Sequence, residues 1–294
     1  MTLAAGDASA MALAIKVERL RSILGGLDSA LVAFSGGVDS TYLLRVAGEL
    51  LGDRCVALTT VSPTTPEHDL ADARALAAAF GVAHLVVDTN ELDVPGYAEN
   101  PVDRCYLCKG NLFVICTAEA ARRGLDAVLD GANLDDLGDH RPGLTAAAEQ
   151  GVRHPLVEAG FTKADVRAAS RALGLATWDR PASPCLSSRF PYGTRITPER
   201  LAQVAAAERA LRAEGVRELR VRWHEGGVAR IEVGPDDMPR VLARRDAVVA
   251  AVRDAGFAYV TLDLTGFRSG SLNELLGPRK HEGPEDAPPA PRLR

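Results

Sequence analysis

Three things are scarce or missing in this 294-residue chain, and each narrows what it can be. No apolar run approaches the roughly 20 residues that a membrane-spanning helix needs. The Ala-rich segment Met1–Ala14 has no basic stretch before it, so it does not read as a secretory signal, and a cytoplasmic location is the default expectation. A basic excess is lacking too: 34 Lys and Arg face 39 Asp and Glu, a formal charge of −5. That balance argues against a surface built to hold polyanionic nucleic acid, while leaving room for a local basic groove. The five cysteines, Cys55, Cys105, Cys108, Cys116 and Cys185, are an odd number. In a reducing compartment they point to free thiols, metal ligands or catalysis rather than a disulfide framework. Aromatics make up only 5% of the residues, but 47% are hydrophobic, so a real core can still be buried in one large domain or two modest ones.

Periodicity supplies the architecture. Leu13, Val17, Leu20 and Leu24 share one face over residues 11–24, which predicts a helix. A short apolar run, Ala30–Phe34, breaks at Ser35-Gly36-Gly37, and a helix is expected from Val38 to Leu51. Cys55–Val61, His84–Asp88 and Ala127–Asp130 read as buried strands, with a helix over Pro66–Phe80 between the first two. Strands alternating with helices imply a parallel α/β sheet covered on both faces. The pattern changes after Ala182. An irregular Pro/Gly/Ser-rich stretch runs to Thr197, then a helix to about Glu214. Strands at Leu219–Trp223 and Val228–Val233 are joined by the turn His224-Glu225-Gly226-Gly227. A helix over Met238–Ala255 and a strand over Tyr259–Leu264 complete a smaller α+β unit. The expected organisation is a parallel α/β domain over 1–182, a smaller α+β domain over 183–277, and a charged, Pro-rich disordered tail over 278–294.

The strongest chemical signal is Ser35-Gly36-Gly37-Val38-Asp39-Ser40, set between a buried strand and a helix. Glycines let backbone N–H groups come close to an anion, and the helix N-terminus adds oriented donors and a favourable dipole. The Ser35 and Ser40 hydroxyls can donate to phosphate oxygens. Asp39 makes sense there only if a cation such as Mg²⁺ shares the phosphates. No Gly-Lys-Ser/Thr follows, so this is not a Walker A loop. It resembles the SGGxDS signature of the PP-loop ATP pyrophosphatases, which split ATP between its α- and β-phosphates and adenylate a substrate. That resemblance implies that Thr60, at the end of the second strand, lies by the adenine. Ligands of open parallel sheets bind at the carboxyl ends of strands, so Gly131 can let the nucleotide pack close and Asp135 can help with metal. The bland alternative for Asp135 and Asp136 is a solvated helix cap.

Cys105 and Cys108 form a Cys-x-x-Cys, a spacing shared by zinc, redox and iron–sulfur sites. No second such pair exists, so one chain cannot complete a four-cysteine zinc site. Cys185 lies in a polar loop between Arg180 and Arg189, whose charges favour a thiolate. Three thiolates can hold three irons of a 4Fe–4S cluster and leave the fourth iron open. Cys55 and Cys116 read as small buried hydrophobes.

Four longer runs carry a more specific resemblance: Asn100-Pro101-Val102-Asp103-Arg104-Cys105-Tyr106-Leu107-Cys108-Lys109, Gly131 through Gly143, Ala182 through Arg189, and Gly266 through Asn273. They are similar to the LarE family, the pyridinium-3,5-biscarboxylic acid mononucleotide sulfurtransferases, over residues of about 10 to 277. The resemblance implies ATP-dependent adenylation of a pyridinium carboxylate and replacement of oxygen by sulfur, in assembly of the nickel-pincer nucleotide cofactor of lactate racemase. It implies ATP, Mg²⁺ and a 4Fe–4S cluster on Cys105, Cys108 and Cys185 as cofactors. The other enzymes of that biosynthesis and the racemase are the implied pathway partners, and a homohexamer the implied assembly. Some family members instead sacrifice the sulfur of the cysteine matching Cys185, and the presence of all three thiols here departs from that pattern.

In the second unit, Arg220 and Arg222 share one strand face, with Glu232 on the partner strand. A guanidinium pair suits the phosphate of a mononucleotide, while the alternative is a charged strand face with cross-strand pairing. The resemblance adds Ser188, Arg189, Glu208 and Arg268 to the substrate site. Three rival functions remain: a tRNA thiolase, an amide-forming synthetase of the NAD or GMP type, and a non-enzymatic iron–sulfur or zinc module.

Overall fold

The computed structural model describes residues 5–137, 142–181, 183–268 and 271–276. The tail over 278–294, and residues 138–141 and 269–270 of the motif runs, lie outside the described residues.

The first half alternates helix and strand: α1 (Ala5–Gly25), β1 (Ala30–Ala33), α2 (Val38–Leu51), β2 (Cys55–Val61), α3 (Glu67–Ala79), β3 (Ala83–Asp88), α4 (Arg104–Arg123) and β4 (Ala127–Leu129). Three shorter helices follow, α5 (Pro142–Glu149), α6 (Pro155–Glu158) and α7 (Lys163–Ala172). The strands form one parallel sheet in the order β3-β2-β1-β4. Alternation along β1 sorts its side chains between two layers. Ala30 and Val32 join the core under α1, α2 and α7, and Leu31 and Ala33 join the one under α4 and α5. From β1 the chain moves outward through β2 to β3, then crosses back to place β4 on the other side of β1. That reversal opens a crevice at the carboxyl ends of β1 and β4, where ligands of such sheets sit.

The second half is a smaller α+β unit: α8 (Pro198–Ala213), β5 (Leu219–His224), β6 (Val228–Val233), α9 (Met238–Ala243), α10 (Arg245–Asp254) and β7 (Tyr259–Leu262). The turn at Glu225-Gly226-Gly227 closes the β5–β6 hairpin, with both glycines in the left-handed region. β7 adds to β6 in parallel. The helix expected over Met238–Ala255 is two helices. Arg244 leaves helical geometry at φ −108°, ψ 22°, and its guanidinium pairs with Glu214 beyond the end of α8 at 2.6 Å.

Segment 92–108 packs largely away from the first-half cores, although Tyr106 stays against the one under α4 and α5. Leu92, Val94, Tyr97, Leu107 and Cys108 join the core of the second unit, with Leu186, Phe190 and Trp223. This exchange carries the start of α4 to the loop that holds Cys185.

Candidate active site

The phosphate-loop geometry follows from small residues at three points. Gly36 takes φ +71° and sits against Ala73 of α3, where a Cβ would be 3.4 Å from its atoms. Gly37 caps α2 with extended backbone. Ser40 Oγ closes the loop on itself, accepting from Ser35 N at 3.3 Å, lying 3.1 Å from Ser35 Oγ and donating to Gly37 O at 3.3 Å. Across the crevice, Gly131 comes so near α2 that a Cβ would stand 2.8 Å from Ser40 N. Its φ is unexceptional; contact alone demands glycine there.

Asp39 stands in the first turn of α2. Its carboxylate accepts from Asn133 Nδ2 at 3.3 Å and forms an ion pair with Lys163 Nζ. Lys163 is the first residue of α7, placed by the Thr162 capping box, and its backbone N–H donates to Asp135 Oδ2 at 2.9 Å. Asn133 and Asp136 form a second capping box at residues 134–136. Asp135 and Asp136 thus both act on helix ends. Asp130 holds the turn before them, accepting from Ala132 N at 3.1 Å and from His154 Nδ1 at 2.5 Å. Burial pushes the Asp130 carboxyl up, but the His154 bond and the Lys109 charge outweigh it and hold it below its ordinary value. The bond to Asp130 raises His154 in turn. Thr60, half-buried near the end of β2, opens toward the same edge.

The residues present suit ATP. The loop offers N–H groups at a helix N-terminus, Gly131 lets the turn after β4 close against the first turn of α2, and the buried hydroxyl of Thr41, one turn into α2, has no hydrogen-bond partner. Asp39 is the carboxylate of this loop that could hold a cation. Lys163 is a residue that sequence reasoning missed; the capping pattern Thr162…Asp165 was the signal, but nothing local links it to Asp39.

The thiols are gathered by a strap. Asn100, fully buried at φ +58°, donates through Nδ2 to the carbonyls of Phe190 and Pro191, at 3.3 and 2.7 Å. Arg104 Nη1 donates to Ser187 O at 3.2 Å, and Tyr97 Oη lies 2.8 Å from Ser187 Oγ. These contacts lay loop 185–191 on the first turn of α4, where Cys105 and Cys108 are three residues apart on one face. Burial, then the neighbouring Cys185 and Glu91, push the Cys108 thiol up to about 12. Cys55 and Cys116 are raised to about 12 by burial, as expected of core thiols. Three thiols are the donor kind that iron–sulfur ligation takes, and Cys108 packs into the core that holds Leu186, the neighbour of Cys185. Among the described residues, however, no three metal-ligating side chains stand at bonding separation.

The second-unit charges divide into two sets. Arg189 and Glu208 form a buried bidentate pair at 2.7 and 3.0 Å, and Arg189 Nη1 also donates to Pro184 O, Cys185 O and Ser188 Oγ. Arg222 is equally engaged, with Glu232 at 2.9 Å, Ser188 O at 2.6 Å and Ser271 Oγ at 2.8 Å. Both pairs hold the Cys185 loop from beneath. Arg220 differs: among the described residues no carboxylate pairs with it, and its guanidinium stacks on Phe267 at 4.4 Å. Burial and the charges of Arg222 and Arg189 pull it down to about 10. It lines a cavity of about 150 Å³ with His68, Arg180, Arg189, Arg212 and Arg217. Arg268 meets Arg220 through its backbone, its carbonyl accepting from Arg220 Nη1 at 3.4 Å, while its own guanidinium pairs with Glu274 at 3.0 and 2.9 Å.

A parallel sheet with a Ser-Gly-Gly loop and an acidic first helical turn at its switch point defines a PP-loop ATP pyrophosphatase. In keeping with that class, a family model described as NAD synthase matches residues 19–112. The chain is 41% identical to the pyridinium-3,5-bisthiocarboxylic acid mononucleotide synthase of Lactiplantibacillus plantarum over 90% of this chain and 96% of that one. It therefore belongs to the family of that synthase, the LarE family, and is an enzyme of the ATP pyrophosphatase and sulfurtransferase kind. An uncharacterized protein of Synechocystis is 48% identical over 89% of this chain and 98% of its own length. An NH(3)-dependent NAD(+) synthetase of Methanopyrus kandleri is 44% identical over 23% of this chain and 24% of its own. No described helix is long and apolar enough to cross a membrane.

Proposed function

We propose that this enzyme adenylates the carboxylate of pyridinium-3,5-biscarboxylic acid mononucleotide with ATP and replaces its oxygen with sulfur, serving the nickel-pincer nucleotide cofactor of lactate racemase. The observation that carries this reading is the joining of two loops. Arg180 and Pro184, from the segment that leads to Cys185, line the basic cavity at Arg220, and Arg180 also donates to Gly36 O of the phosphate loop, in a chain similar along nearly its whole length to a synthase of the bisthiocarboxylate.

The chemistry follows from the residues. A substrate carboxylate oxygen attacks the α-phosphorus of ATP, and the bond to the β-phosphate oxygen breaks, releasing pyrophosphate. The N-terminus of α2, the Ser35 and Ser40 hydroxyls and Lys163 bear the charge that develops on the leaving oxygens. Asp39, now paired with Lys163, would hold the Mg²⁺ that screens the phosphates. Arg220, short of a carboxylate, seats the substrate phosphate. Sulfide then attacks the acyl carbon and AMP leaves with the electron pair of the broken C–O bond.

A 4Fe–4S group on Cys105, Cys108 and Cys185 would supply an iron site at which sulfide can be carried. Tyr97, Asn100 and Arg104 keep the two thiol-bearing segments together. A second reading is direct sulfur donation by Cys185 with formation of dehydroalanine, which asks for no ligation by Cys105 and Cys108. The test is anaerobic incubation of the iron- and sulfide-reconstituted enzyme with MgATP, the mononucleotide and excess sulfide. Pyrophosphate release with the mass gain of an oxygen-to-sulfur exchange, over repeated turnovers and with Cys185 intact, is the expected result. Loss of hydrogen sulfide from Cys185 after one turnover selects the second reading. Pyrophosphate release with ammonia and no sulfur product would instead assign an amide-forming synthetase.

A further inference from the structure

Arg180 precedes Cys185 by five residues, yet its guanidinium reaches the phosphate loop. Nη1 donates to Gly36 O at 3.2 Å, and Nη2 donates to Asp69 Oδ1 at 3.1 Å and Asp72 Oδ2 at 2.6 Å. Its backbone is itself fixed, because Arg167 donates to the carbonyls of Trp178 and Arg180 at 2.9 and 3.0 Å. Two more bonds tie the same segment down: Ser183 Oγ to Asp69 Oδ2 at 2.8 Å, and Leu186 N to Thr64 O at 2.9 Å. The stretch carrying Cys185 is thereby fastened to the start of α3 and, through Arg180, to the phosphate loop.

The Gly36 contact acts through peptide geometry. In a planar trans peptide the C=O of Gly36 and the N–H of Gly37 point in opposite directions. A donor fixed on that oxygen therefore aims the Gly37 N–H. This N–H now meets Ser35 Oγ at 3.3 Å, a long bond easily exchanged for a phosphate oxygen. A phosphate drawing on the N–H polarises the peptide and strengthens the bond from Arg180 to its oxygen. At φ +71° Gly36 is conformationally permissive, so only the long bond to Ser35 Oγ holds this plane once the arginine is gone. Lysine cannot replace the fork, since one ammonium does not span three acceptors on two elements.

We infer that Arg180 is a positioning residue that couples nucleotide occupancy of loop 35–40 to the placement of the Cys185 segment, so that the sulfur-handling loop is set when ATP is in its cradle. This rests on the ATP-binding reading of that loop. Linkage makes the coupling reciprocal: ordering of the segment raises ATP affinity by the same factor.

Hydrogen–deuterium exchange of the full-length protein, with MgATP as the probe, tests it. In the wild type MgATP slows exchange in peptides covering residues 35–41 and 183–190. In R180Q, and in R180K, slowing at 35–41 persists while slowing at 183–190 is lost, and ATP affinity falls about tenfold, the usual scale of two-site coupling. Asp72→Asn removes one exposed anchor, keeps the fold, and shows a partial loss. A merely structural arginine would speed exchange at 183–190 equally with and without nucleotide, leaving the MgATP ratio unchanged; that result overturns the inference. So does a wild type protected at 35–41 alone. A wild type protected at neither segment overturns the ATP-binding reading itself, and the coupling with it.

Discussion

Replacing Gly131 by alanine isolates one steric demand of the nucleotide crevice. The residue has ordinary backbone angles, so alanine brings no conformational penalty, only a methyl group. That methyl would stand 2.8 Å from Ser40 N and 3.1 Å from Asp39 C and Ser40 Cα, all of them backbone. Restoring ordinary contact requires a shift of about 0.6 Å between the loop after β4 and the first turn of α2. Overpacking of this kind costs about 1–3 kcal/mol. For a chain of this size that lowers Tm by about 2–10 °C. The displaced turn carries Ser40 N and the side chains proposed to meet the phosphates, and a misplacement approaching 1 Å costs up to about 10²-fold in rate. Pyrophosphate release should therefore fall far more than stability does. Gly110 is the control: it lies inside α4 with nothing within 4 Å of an added Cβ, so G110A should stabilise by about 0.5–1 kcal/mol. Differential scanning calorimetry and a coupled pyrophosphate assay read both variants. A G131A protein with wild-type Tm and wild-type pyrophosphate release would refute the close-approach argument.

Three further outcomes are expected. Asp39→Asn keeps the fold but loses the charge that Lys163 and Mg²⁺ share, so pyrophosphate release drops by about 10²-fold or more while equilibrium dialysis still detects bound ATP; near-normal release would show that the carboxylate is dispensable. Glu208→Ala leaves the Arg189 charge buried without its partner, which costs about 3–5 kcal/mol in urea denaturation, and the double variant R189M/E208L recovers much of it; a harmless single substitution would contradict the buried-pair account. His154→Asn has a pH signature. His154 is raised by Asp130, so its contribution is complete below its ordinary value of about 6.5 and fades as pH rises through the raised one. Asp130 is held down, so its share is present above about 3.9 and is lost as pH falls through its lowered value. The stability gap between wild type and H154N should be widest between about pH 4 and 6.5 and narrow on the alkaline side; a gap that widens above neutrality would reverse the sign.

Sequence alone determined whatever depends on neighbours along the chain. The buried run Ala30–Phe34, the two glycines and the helical spacing after Val38 fix a strand, a loop and a helix, and the structure has them where the pattern put them. The same holds for the strands at Cys55–Val61 and Val228–Val233, and for the parallel sheet that alternating elements require. Tertiary structure decided which distant groups meet. Lys163 reaches Asp39 across 124 positions, because the β1–β4 switch point brings the start of α7 over α2. Arg220 and Arg222 look alike two residues apart on one strand face. Their different partners came only with folding: Glu232, Ser188 and Ser271 engage both terminal nitrogens of Arg222, while Arg220 lies over a phenyl ring and, among the described residues, has no carboxylate partner. The break at Arg244 has no glycine or proline to announce it. Segment 92–108 likewise gave no local sign that it would pack into the second core and bring Cys108 to Leu186, the neighbour of Cys185. Periodicity and turn chemistry are written in near neighbours; the pairing of buried charges and thiols depends on which surfaces are left to cover one another once the sheets have formed.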